Sequence, residues 1–171
     1  NTQYSFVHQL LHEVVYASIA PARRQALHGR YALWLSESSA NMTAQELYTC
    51  AHHFQQSGDI QRAKYYRLRS AERAASIGDL SFASRMLDGI EPDECQRVSD
   101  GHFEKARFYE LLAAGQLLGG ELANAVDSLA QAVASSERYT ESWARCFKQY
   151  CEALASTGKG SKSVALLTSA I

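Results

Sequence analysis

Four times along the chain a glycine is followed five residues later by an alanine: Gly58 with Ala63, Gly78 with Ala83, Gly120 with Ala125, and Gly160 with Ala165. The last three glycines are separated by 42 and 40 residues, and the first two by 20. A glycine ends a helix readily in the left-handed conformation, and a small residue one turn into the next helix lets two antiparallel helices approach closely. The pattern predicts helix hairpins, used repeatedly. Composition agrees, since only 2 prolines occur and valine and isoleucine are sparse beside Ala, Leu, Gln, Glu and Arg, a mixture of helix formers with few strand formers. The expected fold class is all-α, with one short strand at residues 3–7 as the exception.

Helix signals recur at regular intervals. Pro21 suits a first helical position, and Leu27, Tyr31, Trp34 and Leu35 follow as one apolar stripe. Thr43 and Glu46 form a Thr-x-x-Glu capping box ahead of Leu47, Cys50, Ala51 and Phe54. Gly58 stops that helix and Asp59 caps the next, whose inner face is predicted at Ile60, Ala63, the stem of Arg67, and Ala71. A shorter helix opens after Asp79 with Leu80, Ala83 and Leu87. Residues 89–101, GIEPDECQRVSDG, read as a loop break. The apolar period resumes at Phe103, Ala106, Ala113 and Leu117, and is cleanest over Leu122, Ala125, Val126, Leu129, Ala132 and Val133. Trp143, Phe147, Tyr150 and Leu154 make an aromatic-rich stripe, and a last helix begins near Ser161 with Val164, Leu167 and Ile171.

Helix pairs recurring every 34 to 47 residues or so are the mark of tetratricopeptide-like α-solenoids, right-handed superhelical stacks in which each pair touches its neighbours. The Trp-Leu-Gly-Tyr signature of the tetratricopeptide itself is absent, so the array expected over residues 41–171 is tetratricopeptide-like. A terminal repeat with no polar helix after Ile171 would also favour self-association.

The first half carries a more specific likeness. YSFVHQLLHEVVY at 4–16, ARRQALHGRYALWL at 22–35, ELYTCAHHFQQSGD at 46–59 and RAKYYRLRSAERA at 62–74 resemble a segment of the STAND-type signalling ATPases. In these, an AAA-like ATPase module is joined to transcription-activator, adenylyl cyclase or kinase domains. The matching residues are Phe6, His8, Glu13, Tyr16, Arg23, Arg24, Leu27, His28, His53, Gly58 and Asp59. The resemblance implies that residues 1–40 connect the end of a winged-helix, ATPase-linked region to the helical arm, and that these motif residues are structural. It further implies a regulatory arm that docks on protein or on sister domains of its parent chain. The alternative is a sensor for a small-molecule inducer, for which Trp143, Phe147 and Tyr150 offer aromatic surface, although their spacing is more simply that of a core; a DNA-binding accessory role, from the likeness of the first residues to the tail of a winged helix, comes third. The missing initiator methionine and the end at VALLTSAI point to a piece of a longer protein.

Several classes of chemistry have no support in the residues. GKGSKS at 158–163 lacks the Gly-x4-Gly-Lys-Ser/Thr spacing that cradles phosphates, and no Gly-x-Ser-x-Gly or recognisable catalytic cysteine signature occurs. The chain is therefore not expected to be an enzyme or to hold a cofactor. His8 and His12 could share a helix face, and His52 and His53 are adjacent, but neither pair has an evident third ligand, so all four are read as structural histidines. Cys50, Cys95, Cys146 and Cys151 form no CxxC pair, which argues against a zinc knuckle or disulfide framework. No run approaches the roughly 20 apolar residues that span a bilayer, and NTQYSF does not begin a signal peptide; a cytoplasmic location without membrane contact is expected.

Charge is uneven within a net of −1: residues 1–75 carry +3, residues 76–104 carry −5, and the remainder +1. A domain-wide basic footprint is missing, which weighs against nucleic acid as a partner. The local exception is Arg62, Arg69 and Arg73, which fall within about 40° of one line on a helix with Tyr66 beside them. Such a face is either solvated, its stems covering apolar neighbours, or a partner-binding surface. For the second of these, the acidic stretch 79–104 of the same chain is the intramolecular candidate.

Overall fold

The computed structural model describes residues 9–38, 41–99, 103–158 and 161. Among them every regular element is helical: α1 (Gln9–Ser18), α2 (Pro21–Ser38), α3 (Ala44–Ser57), α4 (Ile60–Ser76), α5 (Leu80–Arg85), a 3-10 turn (Pro92–Glu94), α6 (Cys95–Val98), α7 (Lys105–Leu118), α8 (Leu122–Ser135) and α9 (Glu141–Ser156). The strand expected at 3–7 and the Gly160–Ala165 pair lie outside the described residues. The main packing runs in chain order, α2 on α3, α3 on α4, α4 on α5, α5 on α7, α7 on α8 and α8 on α9.

Three hairpins turn in the same way. Gly58, Gly78 and Gly120 have φ of 86°, 83° and 76°, in the left-handed region that a Cβ disfavours. In each, the residue after the glycine donates its N–H to a carbonyl in the last turn of the helix just ended: Asp59 to Phe54, Asp79 to Ala74, Glu121 to Gln116. These bonds satisfy carbonyls that a helix end would otherwise leave open. Asp59 and Asp79 then accept, through Oδ1, from the N–H groups of Arg62 (3.1 Å) and Phe82 (3.0 Å), which starts the next helix. The alanines five residues on, Ala63, Ala83 and Ala125, are 3%, 0% and 0% exposed, so each marks the helix contact that the spacing predicted. The Thr43–Glu46 capping box of α3 is formed, with Glu46 N–H donating to Thr43 Oγ1 and Thr43 N–H to the Glu46 carboxylate.

The core falls into three clusters along the chain. Ala32, Met42, Leu47, Cys50, Phe54 and Ala63 fill the space between α2, α3 and α4. Leu68, Ala71, Ala74, Leu87, Ile90, Phe108 and Leu111 are among those joining α4 to α7. Ala113, Ala125, Leu129 and Ala153 join α7, α8 and α9. Ser70, fully buried on α4, donates to the Ala44 carbonyl at 2.7 Å and pins α4 to the first turn of α3.

The structure corrects several sequence expectations. Three of the four stripe residues of α2 face outward, Leu27, Tyr31 and Trp34 at 42%, 43% and 56% exposure, while Leu35 packs partly buried against the core and Ala32 carries the fully buried side. Ile60 is exposed because it sits at the hairpin turn, and Leu68 and Ala74 take up the inner face of α4. Leu117 likewise faces outward at the end of α7, whose buried side includes Phe108 and Leu111. The described part of the expected loop break, residues 89–99, is more than a loop: the 3-10 turn and α6 bring Ile90, Cys95 and Val98 into the core. The segment is fastened by Lys64–Glu94 and Lys105–Asp93 ion pairs.

Two polar or steric constraints set the second half. Glu110 of α7 is 5% exposed and accepts from Arg107 (2.6 Å) and twice from Arg145 of α9 (2.6 and 3.3 Å). Burial pushes its carboxyl upward, but the Arg145 and Arg107 bonds outweigh burial and hold it below the ordinary value. Gly115 faces Ser84 across the α5–α7 contact, where an added Cβ would lie 2.4 Å from the Ser84 Cβ and 2.1 Å from its Oγ. Gly115→Ala is therefore expected to destabilise the chain by roughly 1–3 kcal/mol despite the better helix propensity of alanine. Gly29→Ala, whose Cβ would meet Ser57 only at 3.4 Å, is expected to cost far less. Thermal unfolding of both variants checks the pair.

Candidate functional site

Motif residues from three different sequence stretches meet at one place. Tyr16 at the end of α1, Arg24 and His28 on α2, and His53 on α3 converge, although 37 positions separate the first from the last. α2 brings Arg24, His28 and Tyr31 to one side because their spacings of four and three are those of a helix face. The Tyr16 hydroxyl lies 2.9 Å from His28 Nε2, and His28 Nδ1 lies 2.7 Å from His53 Nδ1. The Arg24 guanidinium sits 5.0 Å above the Tyr16 ring, and Tyr31 meets His53 edge-on at 4.6 Å. Together with Ile19 and Leu27, these side chains line a mostly apolar hollow of about 230 Å³.

The two facing Nδ1 atoms can share one proton but not two. One ring donates and the other accepts, and Tyr16 completes the chain in either tautomer. With both rings protonated, two N–H groups and two positive charges would face each other. Burial, then the neighbouring His52 and Arg24, lower the pKa of His28; burial, then His28 and His52, lower that of His53. The polar partner of His53 in this cluster is the His28 ring. The cluster links α1, α2 and α3, in keeping with a structural role for Tyr16, Arg24, His28 and His53. Glu13 lies on the exposed side of α1, whereas Phe6, His8 and the side chain of His12 lie outside the described residues. Gly58 and Asp59 serve the hairpin turn described above.

Exposed apolar side chains lie on the same two helices. Besides Leu27, Tyr31 and Trp34, the residues Leu33 of α2 and Leu11, Val14 and Val15 of α1 are exposed, at 42%, 55%, 66% and 44%. Tyr31 and Trp34 pack ring to ring at 5.6 Å on this surface. Periodicity located the stripe but assigned it to the core. What turns it outward is the pairing of α2 with α3 through Ala32 and through Gly29, whose Cα faces Ser57.

The arginine face of α4 is partly engaged. Tyr66 is half-buried, stacked on Phe54 at 5.4 Å with the rings 16° apart, and so belongs to the packing of α3 against α4. Arg62 pairs with Asp59 at 3.5 Å and lies over Phe54 at 5.5 Å. Arg69 lies 5.8 Å from the Tyr65 ring and 6.0 Å from Tyr66. It shares with Arg73, Glu72 and Asn41 a polar hollow of about 300 Å³. The acidic stretch does return to α4, where Glu94 pairs with Lys64 at 2.6 Å and Ser99 and Phe103 share a hollow with Arg69.

Trp143 and Phe147 stack at 4.8 Å on α9 and are half-buried, as is Tyr150, which packs against the third core cluster. Among the described residues no group of three or more His, Cys, Asp or Glu side chains is placed to hold a metal ion. No described helix is long and apolar enough to cross a membrane. No protein-family model, curated protein or solved structure matches this chain.

A pH dependence follows from the histidine pair. Both folded-state pKa values lie below the ordinary 6.5, so the unfolded chain binds more protons on acidification and stability falls as pH drops. The unfolding midpoint is expected to be flat above about pH 6.5 and to fall below it as the folded rings titrate. His28→Gln combined with His53→Phe should flatten that acid limb, and denaturant melts across the range read it directly.

Proposed function

We propose that the chain is a non-catalytic, tetratricopeptide-like helical module. On this reading it serves as the interaction and regulatory arm of a cytoplasmic STAND-type signalling ATPase, docking on protein or on sister domains of its parent. The single observation that carries the reading is the outward apolar surface of α1 and α2. Aromatic side chains that a globular core would take in are instead held at 37–56% exposure, as with Tyr16, Tyr31 and Trp34, and contiguous apolar surface of this kind marks interaction sites. Its position fits the resemblance, in which the first residues connect the arm to the ATPase-linked region. Packing in chain order supports the repeat architecture, because a stack of helix pairs buries its core between neighbours. The Tyr16–Arg24–His28–His53 cluster would fix the angle at which α1 and α2 leave the stack.

The inducer-sensor alternative has one observation in its favour. An apolar hollow of about 430 Å³ lies between α7, α8 and α9, lined by Leu117, Leu118, Leu122 and Leu129 among others, and its size suits a small ligand. The aromatic stripe of Trp143 and Phe147 is not part of that lining.

Trp34→Gln separates these readings. In an equilibrium titration against the ATPase module of the parent polypeptide, the substitution is expected to cost roughly 2 kcal/mol of affinity, as for a central aromatic at an interface. Arg62→Gln should leave the affinity unchanged. Equal binding by wild type and Trp34→Gln overturns the docking surface. A rise in thermal midpoint with a sugar, nucleotide or amino acid, and none with the module, would favour the sensor.

A further inference from the structure

The opposite side of α4 from the arginine face holds a second cationic feature. Arg67 forms the floor of a groove of about 420 Å³ whose walls are α3, with Tyr48, His52 and Gln55, and α5, with Phe82 and Arg85. This is within the range of ligand clefts, roughly 300–1,000 Å³. Arg67 is half-buried, yet among the described residues its one hydrogen bond is a long one, Nη2 to the Arg85 carbonyl at 3.4 Å. A guanidinium has five N–H donors in a planar fork, so most of its capacity is unused. Neither Arg67 nor Arg85 forms an ion pair among the described residues. Burial lowers the pKa of Arg67 more than the nearby Asp88 and Tyr48 raise it, so a further anion at this spot would be welcome.

We propose that this groove binds a carboxylate carried by an acidic segment of a partner polypeptide. Charge selects the carboxylate. Two guanidinium groups against Asp88 leave a net charge of +1, which one carboxylate neutralises, whereas a phosphate monoester brings about −1.5 to −2. The walls select a peptide. Tyr48 and Phe82 meet edge to face at 6.1 Å and offer apolar surface beside the arginines for a neighbouring side chain, while Gln55 supplies a donor and an acceptor for peptide backbone. Arg85 already lies over Phe82 at 5.6 Å, which holds its guanidinium at the groove. That the ligand is a polypeptide rests on the interaction-module reading; the carboxylate chemistry rests on the groove alone.

The test is an NMR titration of the arginine Nε–Hε signals with a peptide of alternating leucine and glutamate, its leucine–glutamine counterpart, and sodium acetate. The glutamate peptide is expected to shift the Arg67 and Arg85 signals saturably and the glutamine peptide to leave them in place. Arg67→Gln should weaken binding by about tenfold or more, the worth of a charge-assisted hydrogen bond. Arg85→Gln, an exposed position, should do likewise without risk to the fold. Shifts with neither peptide nor acetate, or equal shifts with both peptides, overturn the site; shifts with acetate but no peptide overturn the polypeptide ligand. Trp34→Gln should leave this titration unchanged, so failure of the α1–α2 docking surface is not read as failure here.

Discussion

The hairpin turn built on a left-handed glycine and a following acidic residue is the constraint on which the rest of the structure depends. At Gly58-Asp59 and Gly78-Asp79 the acidic residue adopts nearly the same dihedrals, φ −83° and ψ 76° against φ −82° and ψ 71°. The two helices that each turn joins are thus set at a fixed distance before any large side chain is packed. The fully buried alanines one turn later only fit because that distance is short. At Gly120-Glu121 the backbone bonds persist but the side-chain cap is missing, and the turn still forms. The backbone pattern is therefore the primary element, and the aspartate cap adds about 1 kcal/mol on top of it.

Much of this was legible in the sequence because it is local. Caps, turn glycines and the small residue at a fixed offset depend on a few consecutive positions, and they place α3, α4 and α8 correctly. Which side of a helix is buried is a non-local matter. The stripe of Leu27, Tyr31 and Trp34 has the right period for a core face, but α2 pairs with α3 through the small residues Gly29 and Ala32, and close approach of backbones outranks apolar bulk. Leu117 failed for a related reason: α7 is held by Glu110 and by the Gly115–Ser84 contact, which set its rotation. Hydrophobic pattern alone contains no sign of either.

The candidate site shows the same division. Tyr16, Arg24, His28 and His53 are not grouped by their spacing, since nothing in it announces that a tyrosine and two imidazoles will form one hydrogen-bonded row. Arg67 was read as a stem covering apolar neighbours, which is half correct, because its carbon chain is half-buried while its guanidinium reaches a groove. The arginines that lined up on paper, Arg62, Arg69 and Arg73, are on the side of α4 where Phe54, Tyr65 and Tyr66 already engage two of them. α4 thus separates two cationic surfaces.

The four cysteines sit in α3, α6 and α9, all buried and none of them in a disulfide. Burial pushes the thiols of Cys50 and Cys95 up to about 11 and raises that of Cys146, so these three sulfurs present almost no thiolate to an oxidant or alkylating reagent. Because these three belong to different neighbourhoods, with Cys50 beside Ala32, Cys95 under the acidic segment and Cys146 near the Glu110 pair, modification at each of them is gated by the parting of its own helices. The protein carries a built-in set of clocks, and the order in which they run would chart which joint of the stack opens first.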